Sequence, residues 1–235
     1  LARDLFTLTG NVDEVSGDTP KVPKATLTVQ NRMVASICDI INPIFYNGLL
    51  QTATDADCTI YPQPLGQVFT VLDTSGEIPF VRYKPNTFSR YSLLHAHAIR
   101  NLCVQLVRGG LRGDDIAVIS PYRAQVQILA KLIEAVDAGI AVGTVHRFQG
   151  QERRVVIFDI CDSHGIKGLS RFIKAVDTTE DGARMLNVAI SRAKHRFVVV
   201  ANLPFLNRHL PPNAILRDIL HKMGTRGDIV PCGSV

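Results

Sequence analysis

The segment Thr144-Val-His-Arg-Phe-Gln-Gly-Gln-Glu152 and the aliphatic run after it, Arg154-Val-Val-Ile-Phe-Asp-Ile160, decide the fold of this chain. The run is continuous, whereas a strand with one solvated face would alternate apolar and polar residues. Continuous aliphatic runs are typical of strands buried on both faces, as in a parallel sheet covered by helices. The polar segment before the run is therefore expected at the edge of a buried sheet.

Similar runs recur along the chain, at 139–145 and 197–201, with helical patterns around and between them. The run Ile116-Ala-Val-Ile119 leads into Ser120-Pro121, which predicts a helix N-cap followed by proline at the first helical position. Strands alternating with helices predict an α/β fold with a mostly parallel central sheet and helices on both faces. The helices are predicted at about 93–108, 183–194 and 213–223.

The N-terminal third has a different composition. Residues 10–25 are rich in Gly, Pro, Asp and Ser and predict a loop, after which Thr26-Leu-Thr-Val29 predicts a short strand. Residues 51–67 and 73–91 carry many Pro, Gly, Asp and Thr residues and predict long surface connections.

Composition limits the class of protein. The chain has 235 residues, 46% hydrophobic and 20% charged, which excludes disorder as a description of the whole. No apolar run approaches the ~20 residues that cross a bilayer, and no secretory leader opens the chain. The five cysteines are scattered and lack Cys-x-x-Cys spacing, which argues against a zinc ribbon and a disulfide framework. We expect a soluble, intracellular protein in a reducing compartment.

The basic surplus is concentrated in one part of the chain. The formal net charge is +5, and residues 144–196 contain ten Lys or Arg against six Asp or Glu. This concentration fits a surface that binds a polyanion, and it fits equally a solvated basic face.

Two polar segments at predicted strand ends are candidates for binding phosphate. At Ser120-Pro-Tyr-Arg-Ala-Gln125, a helix N-terminus would present free backbone N–H groups, although an ordinary turn has the same residues. In 144–152, Gly150 permits a positive φ or a close approach of the backbone, and Gln149 and Glu152 flank it with groups that can hold hydroxyls or a sugar. The alternative for this second segment is a polar loop with solvated arginines.

The predicted helix 183–194 supplies a third candidate. Helical spacing puts Leu186, Ala189 and Ile190 on a buried stripe, with Arg192 at its border. From there a long cationic side chain can reach a phosphate on a neighbouring domain. The alternative is a surface arginine whose aliphatic stem covers apolar surface.

Together these segments resemble one family in their order and spacing. They are similar to the successive motifs of the second RecA-like domain of superfamily 1 helicases, nearest to the nonsense-mediated-decay, Dna2 and senataxin types. The resemblance spans roughly residues 26–202 and implies a RecA-like three-layer domain. The motifs are Gln30-Asn-Arg-Met33, 120–125, 144–152 and Leu186-Asn-Val-Ala-Ile-Ser-Arg-Ala-Lys194.

The resemblance implies a role for individual residues. Arg192 would be the arginine finger, and Arg32 a second cation on the γ-phosphate of ATP bound between two RecA-like domains. The residues that would face the nucleotide are Gln30, Gln149, Gly150 and Glu152. The residues that would lie along a single-stranded nucleic-acid backbone are Ser120, Pro121, Tyr122, Thr144 and His146.

The sequence departs from the family pattern in three places. Asn31 stands where the family commonly has a tyrosine that stacks on adenine. His95-Ala-His-Ala98 stands near the place of a family Asn and Glu, and its two histidines, on different sides of a helix, predict no metal site. The sequence contains no Gly-x-x-x-x-Gly-Lys-Ser/Thr and no acidic Mg²⁺-holding motif, so ATP and Mg²⁺ would be held mainly by a first RecA-like domain.

The leading expectation is therefore the C-terminal motor domain of an ATP-dependent helicase, inactive as an ATPase by itself. Residues 1–25 would be a linker, 26–202 the motor domain, and 203–235 a C-terminal helix and tail that close it. A docking helix for a following domain is the alternative for the last segment. The competing hypotheses are a degenerate helicase fold that acts as a nucleic-acid or protein binding module, and another nucleotide enzyme assembled in trans.

Overall fold

A six-stranded sheet, parallel throughout, forms the centre of the protein. The computed structural model describes residues 28–53 and 59–235. The predicted loop 10–25 and the first two residues of the predicted strand 26–29 lie outside the described residues.

The strands and helices are numbered in the order in which they occur along the chain. The strands are β1 (Val29–Gln30), β2 (Gln51–Thr52), β3 (Phe69–Asp73), β4 (Arg82–Tyr83), β5 (Arg90–Tyr91), β6 (Ile116–Ile119), β7 (Ala141–Gly143), β8 (Arg153–Asp159), β9 (Ala193–Ala201) and β10 (Asp228–Pro231). The helices are α1 (Ala35–Phe45), α2 (Leu93–Arg108), α3 (Arg123–Glu134), α4 (Asp181–Ile190), α5 (Leu203–His209) and α6 (Ile215–Arg226). Short 3-10 helices lie at Ser75–Glu77, Gly113–Asp115, Val145–Phe148 and Cys232–Ser234.

The central sheet has the strand order β10-β3-β9-β8-β6-β7, so β8 and β9 lie in its interior. Successive side chains of each central strand enter two different hydrophobic clusters. In β8, Val155 and Ile157 pack with α2 and α3, whereas Val156 and Phe158 pack with α1, α4 and α6. Burial on both faces explains the continuous aliphatic runs and confirms the α/β three-layer prediction.

Two predicted helix bounds are wrong. The helix predicted from Ser120-Pro121 begins at Arg123, with Tyr122 as its N-terminal flanking residue. Ser120 instead extends the strand, because its N–H donates to the Gly143 carbonyl at 3.2 Å. The helix predicted to reach residue 194 ends at Ile190, because Ala193 pairs with Arg153 at the start of β9.

Two strands of the central sheet were missed. No element was predicted between the surface connections 51–67 and 73–91, where most of β3 lies, although its residues Phe69–Leu72 are all buried. β10 lies in the C-terminal tail and pairs with β3, so the tail adds an edge strand to the sheet. Gly227 precedes β10, and a Cβ at this position would come within 2.2 Å of the Phe69 carbonyl oxygen. Only glycine permits this close approach of the tail to the sheet.

A small antiparallel hairpin, β4–β5, projects beside the central sheet. It lies in the region 73–91, which was predicted to be a surface connection. Its turn is closed by the Lys84 N–H, which donates to the Ser89 carbonyl at 2.8 Å, and Asn86 has φ of 58°. Asparagine tolerates this left-handed conformation better than most residues, which suits a tight turn.

We expect the middle of β8 to be essential for stability. Ile157 is fully buried between the sheet and α2 and α3, so Ile157→Ala should lower the free energy of unfolding by about 2–5 kcal/mol. Ile60→Ala is the matched control, because Ile60 is 95% exposed and its loss should change stability by less than about 0.5 kcal/mol. Urea denaturation of both variants measures the difference, and equal midpoints would contradict the assignment of the core.

Candidate functional site

Because the six strands are parallel, they all begin on one side of the sheet and end on the other. We call the side where the strands begin the amino edge and the side where they end the carboxyl edge. The amino ends of β8 and β9 follow Glu152 and Arg192, whereas the carboxyl ends of β6 and β7 lead into Ser120 and Thr144. The segment 144–152, which we call the connecting segment, starts at the carboxyl edge and ends at the amino edge. The candidate residues therefore separate into two groups joined by one stretch of chain.

At the amino edge, the amino-edge cluster brings together Arg32, Glu152, Arg192 and Lys194. Arg32 Nε lies 3.0 Å from Glu152 Oε2, and Lys194 Nζ lies 2.5 Å from Glu152 Oε1. These contacts, that of Lys194 first and that of Arg32 next, lower the pKa of Glu152. Two of the three cations contact the carboxylate and Arg192 lies nearby, so these four side chains carry a net charge of +2 and are suited to an added anion.

Arg192 lies folded against backbone carbonyls. Its guanidinium donates to the carbonyls of Val188 (3.2 Å), Phe148 (3.4 Å) and Gln151 (3.2 Å) and to the Ser191 hydroxyl (3.3 Å). These distances are at the long end of the range for hydrogen bonds, so each contact is weak. Burial and then the nearby charge of Arg32 lower the pKa of Arg192.

Arg32 is held by a turn that Gln30 closes. The Gln30 Oε1 accepts from the N–H groups of Arg32 and Met33, both at 2.9 Å. Its Nε2 donates to the Met33 carbonyl and to the Thr52 hydroxyl, both at 2.8 Å. The Gln30 side chain thus positions Arg32 in this structure, while the neighbouring Asn31 is exposed.

The connecting segment turns at Gly150. Gly150 has φ of 81°, which the sequence predicted, and no atom would obstruct a Cβ there, so conformation alone requires the glycine. Phe148 is buried in the core, whereas His146 and Gln149 are exposed on either side of it. Val145 is buried in the same cluster, so the segment is fixed to the core at two residues and offers polar groups to solvent.

At the carboxyl edge, two of the predicted nucleic-acid residues have buried side chains. The Ser120 hydroxyl donates to the Asp159 carbonyl at 3.3 Å, and the Tyr122 hydroxyl donates to Asp162 Oδ1 at 2.5 Å. Of the three residues 120–122 only Pro121 is partly exposed, and the hydroxyls of Ser120 and Tyr122 are already bonded within the protein. Thr144 and His146 are more accessible, because Thr144 is partly exposed and His146 is exposed.

Sequence reasoning missed the ionic group around Asp162. Arg90 Nη1 lies 2.7 Å from Asp162 Oδ2, and the Ser170 N–H donates to the same oxygen at 2.9 Å. Burial raises the pKa of Asp162, and burial followed by the adjacent Asp162 raises that of Tyr122. Burial alone would lower the pKa of Arg90, but Tyr122 and Asp162 raise it, so the guanidinium is charged. The sequence offered one signal for this group, because Asp162 follows the aliphatic run 154–160 by only two residues.

His95 belongs to a second buried polar network at this edge. Its Nδ1 lies 2.8 Å from Asp159 Oδ1, and its Nε2 lies 3.0 Å from the Thr74 hydroxyl. Gln125 Nε2 donates to Asp159 Oδ2 at 2.7 Å, which ties α3 to the same carboxylate. His97 is exposed on another side of α2, so the two histidines do not converge.

Comparison with known proteins identifies the family. Residues 8–204 match the family model described as an AAA domain. The chain belongs to this family. It is 26% identical over 219 residues to the bovine (Bos taurus) DNA replication ATP-dependent helicase/nuclease DNA2, covering 82% of this chain and 20% of that protein. It is 25% identical over 205 residues to the putative regulator of nonsense transcripts 1 of Takifugu rubripes, covering 82% of this chain and 18% of that protein.

These matches confirm the superfamily 1 helicase branch of the Dna2 and nonsense-mediated-decay types. The helicase-type domain spans about a fifth of the length of these curated relatives. The solved structure of the PRRSV helicase matches at 18% identity and a TM-score of 0.35, covering 83% of this chain and 27% of that chain. Within residues 28–53 and 59–235, no helix has the length and apolar character that a bilayer crossing requires.

We expect Tyr122→Phe to destabilise the helicase-type domain. The change removes a hydrogen bond to the buried Asp162 carboxylate, so the free energy of unfolding should fall by about 1–3 kcal/mol and the pKa of Asp162 should rise further. Tyr91→Phe, at a partly exposed tyrosine of the neighbouring hairpin, is the control. Denaturation in urea checks the prediction, and unchanged stability for Tyr122→Phe would show that this hydroxyl makes no net contribution.

Glu152 should make stability depend on pH. Its folded-state pKa is lowered, so its ion pairs stabilise the protein above the unfolded value, about 4.3, and this contribution is lost as pH falls through the folded value. The free energy of unfolding should fall as the pH is lowered from about 6 to 3. Because the ion pairs are partly exposed, this fall should be smaller in Glu152→Gln by no more than about 1 kcal/mol. Glu134→Gln, at an exposed glutamate at the end of α3, is the control and should leave the pH profile unchanged.

Proposed function

We propose that the chain is the C-terminal motor domain of an ATP-dependent superfamily 1 helicase or translocase. In this proposal the amino-edge cluster completes an ATP site whose P-loop and Mg²⁺ ligands belong to a first RecA-like domain. The observation that carries it is the surplus positive charge of Arg32, Arg192 and Lys194 around the single carboxylate of Glu152. Repulsion among these cations raises the electrostatic free energy of the isolated domain, and a bound polyphosphate would neutralise it.

The donor set fits one half of a nucleotide site. ATP, when bound between the two domains, supplies a phosphoanhydride bond whose terminal oxygens gain stabilisation from cations in the transition state. Arg192 is proposed as the arginine finger and would exchange its weak bonds to backbone carbonyls for bonds to these oxygens. Arg32, oriented by Gln30 and paired with Glu152, would supply the second cation.

The connecting segment supports coupling between nucleotide and nucleic acid. Arg192 contacts the carbonyls of Phe148 and Gln151, and the same segment begins at Thr144 beside the carboxyl edge. When Arg192 leaves these carbonyls, the segment loses two hydrogen bonds, and its exposed His146 is free to shift with it. We propose that Thr144, His146 and the Pro121 turn follow a single-stranded backbone at that edge. An intracellular, reducing location is part of this proposal, and the free thiols of Cys38, Cys103, Cys161 and Cys232 agree with it.

The arginine-finger assignment is tested in the parent protein that contains both RecA-like domains. Arg192→Ala should lower nucleic-acid-stimulated kcat for ATP by about 10³-fold or more, because a cation on the transferred phosphate is worth ~10³ to 10⁵ in related hydrolases. Arg208→Ala, at an exposed arginine of α5 outside the amino-edge cluster and both grooves described below, is the control and should retain activity.

The 235-residue chain alone should not hydrolyse ATP. Measurable, nucleic-acid-stimulated turnover by the purified chain would contradict the division of the site between two domains. Unchanged ATPase of the Arg192→Ala parent protein, with single-strand binding intact, would favour the binding-module hypothesis instead.

A further inference from the structure

We infer that the β4–β5 hairpin is a base-stacking arm for single-stranded nucleic acid, with Phe88 as its platform and Lys84 as a phosphate contact. This inference rests on the proposed function, because it extends the single-strand track at the carboxyl edge. The hairpin itself, with Lys84 and Phe88, lies outside the segments that resemble helicase motifs, although the groove beside it includes part of the segment 120–125.

The hairpin is held rigidly at its base. Arg90 pairs with the buried Asp162 at 2.7 Å, and its Nη2 donates to the Gly168 carbonyl at 2.9 Å. The Ser89 hydroxyl accepts from the Ala124 N–H at 2.9 Å, which joins the hairpin to the start of α3. Lys84 Nζ donates to Gln127 Oε1 at 3.1 Å. A hairpin fixed at these points presents its tip in one defined place, which reduces the entropy lost on binding.

Phe88 lies at the tip and has no role in folding. Its side chain is 95% exposed, whereas most phenylalanines of a folded domain bury their large apolar area. It stands next to a polar and charged hairpin, so it does not belong to a large apolar patch of the kind that binds proteins. An isolated, rigidly presented aromatic ring offers a flat face to a planar ligand.

The groove beside Phe88 has the charge that a phosphate backbone requires. It has a volume of about 710 Å³ and lies between the hairpin, the start of α3 and residues 170–172. Among the residues that the structure describes, its lining includes the exposed cations Lys84, Arg123 and Arg171 and no carboxylate. Within the described part of the chain, none of these three cations forms an ion pair.

The groove continues toward the connecting segment. Arg171 and Phe172 also line a second groove of about 350 Å³. This groove carries two arginines, Arg171 and Arg184, and one carboxylate, Asp181, and its other polar residues are His146 and Gln149. A chain lying in both grooves would pass from the hairpin tip to the residues proposed to sense the nucleotide. This continuity favours an extended polymer over a compact ligand.

The combination of an exposed ring and unpaired cations favours a single strand over a duplex. Every unpaired base has a free face that can stack on an aromatic ring, and its phosphates follow the basic groove with little sequence preference. In a duplex the bases are already stacked on each other, and Phe88 would have no partner. An acidic protein segment could fill the groove, but it would provide no planar group for Phe88.

The test uses fluorescence anisotropy of the 235-residue chain with labelled 12-nucleotide dT and U strands at several salt concentrations. Phe88→Ala should weaken binding by about 5- to 150-fold, since stacking on an aromatic ring is worth about 1–3 kcal/mol per base. Phe88→Trp should restore it. Phe80→Ala is the matched control, because Phe80 is 62% exposed but lines a different face of the hairpin.

A strand of the same length without bases separates stacking from a structural effect. On this abasic strand, Phe88→Ala should bind as tightly as the unaltered chain. Lys84→Ala, Arg123→Ala and Arg171→Ala should each lower the salt slope of binding by about 1, whereas Arg112→Ala, at an exposed arginine before β6, should not.

Three outcomes would overturn the inference. Tight, salt-dependent binding that Phe88→Ala leaves unchanged would remove the hairpin from the track while the proposed function stands. Binding of a polyglutamate peptide with the same dependence on Phe88 would assign the groove to an acidic protein. Failure of the unaltered chain to bind either strand would reject the hairpin arm together with the single-strand part of the proposed function.

Discussion

The parallel pairing of β8 with β9 is the constraint on which both candidate surfaces depend. The pairing runs from Arg153 opposite Ala193 to Asp159 opposite Val200, in the interior of the sheet. At its amino end it sets Glu152 beside Arg192 and Lys194. At its carboxyl end it places Asp159 and Asp162 beside the turn before α3 and the base of the hairpin. Because both faces of these strands are buried, neither end can move without disturbing two hydrophobic clusters.

Buried carboxylates organise the carboxyl edge, whereas surplus cations characterise the amino edge. Asp159 and Asp162 each accept several hydrogen bonds from groups on different elements, and this satisfies charges that burial would otherwise make very costly. Their role is to hold the surrounding loops in place. The amino-edge cluster is only partly buried and is left electrostatically incomplete, which is the arrangement expected where a second domain and a polyanion meet.

Much of the fold followed from the sequence because four central strands are continuous aliphatic runs. β6 and β8 were found at nearly their true positions, whereas β9 was predicted too short, at 197–201 instead of 193–201, and β7 too long, at 139–145 instead of 141–143. β3 and β10 were harder to find. β3 carries Thr70 within a short run, and β10 is an edge strand with only partial burial, so neither shows strong periodicity. The short hairpin depends on tertiary contacts through Arg90, which a local pattern does not reveal.

The candidate site was predicted unevenly for a similar reason. The need for glycine at position 150 is a local backbone property, and it was correctly inferred. The burial of Ser120 and Tyr122 depends on Asp159 and Asp162, which are nearly 40 residues away in sequence. The Gln30 amide bonds to backbone groups of Arg32 and Met33 in its own turn, and helical or strand periodicity cannot predict such contacts. Hydrogen bonds made by side chains, both local and long-range, therefore account for most of what sequence reasoning missed.

The early end of α4 has a consequence for how quickly the amino edge can respond. Because Ala193 already belongs to the sheet, the backbone of Arg192 is fixed by its neighbours and cannot slide along the helix axis. Only the side chain is free to move, and rotamer changes of accessible side chains take picoseconds to nanoseconds, far less than the microseconds to milliseconds of domain closure. In the two-domain motor that we propose, the approach of the partner domain would therefore be slower than the movement of the Arg192 side chain and would set the pace of each cycle.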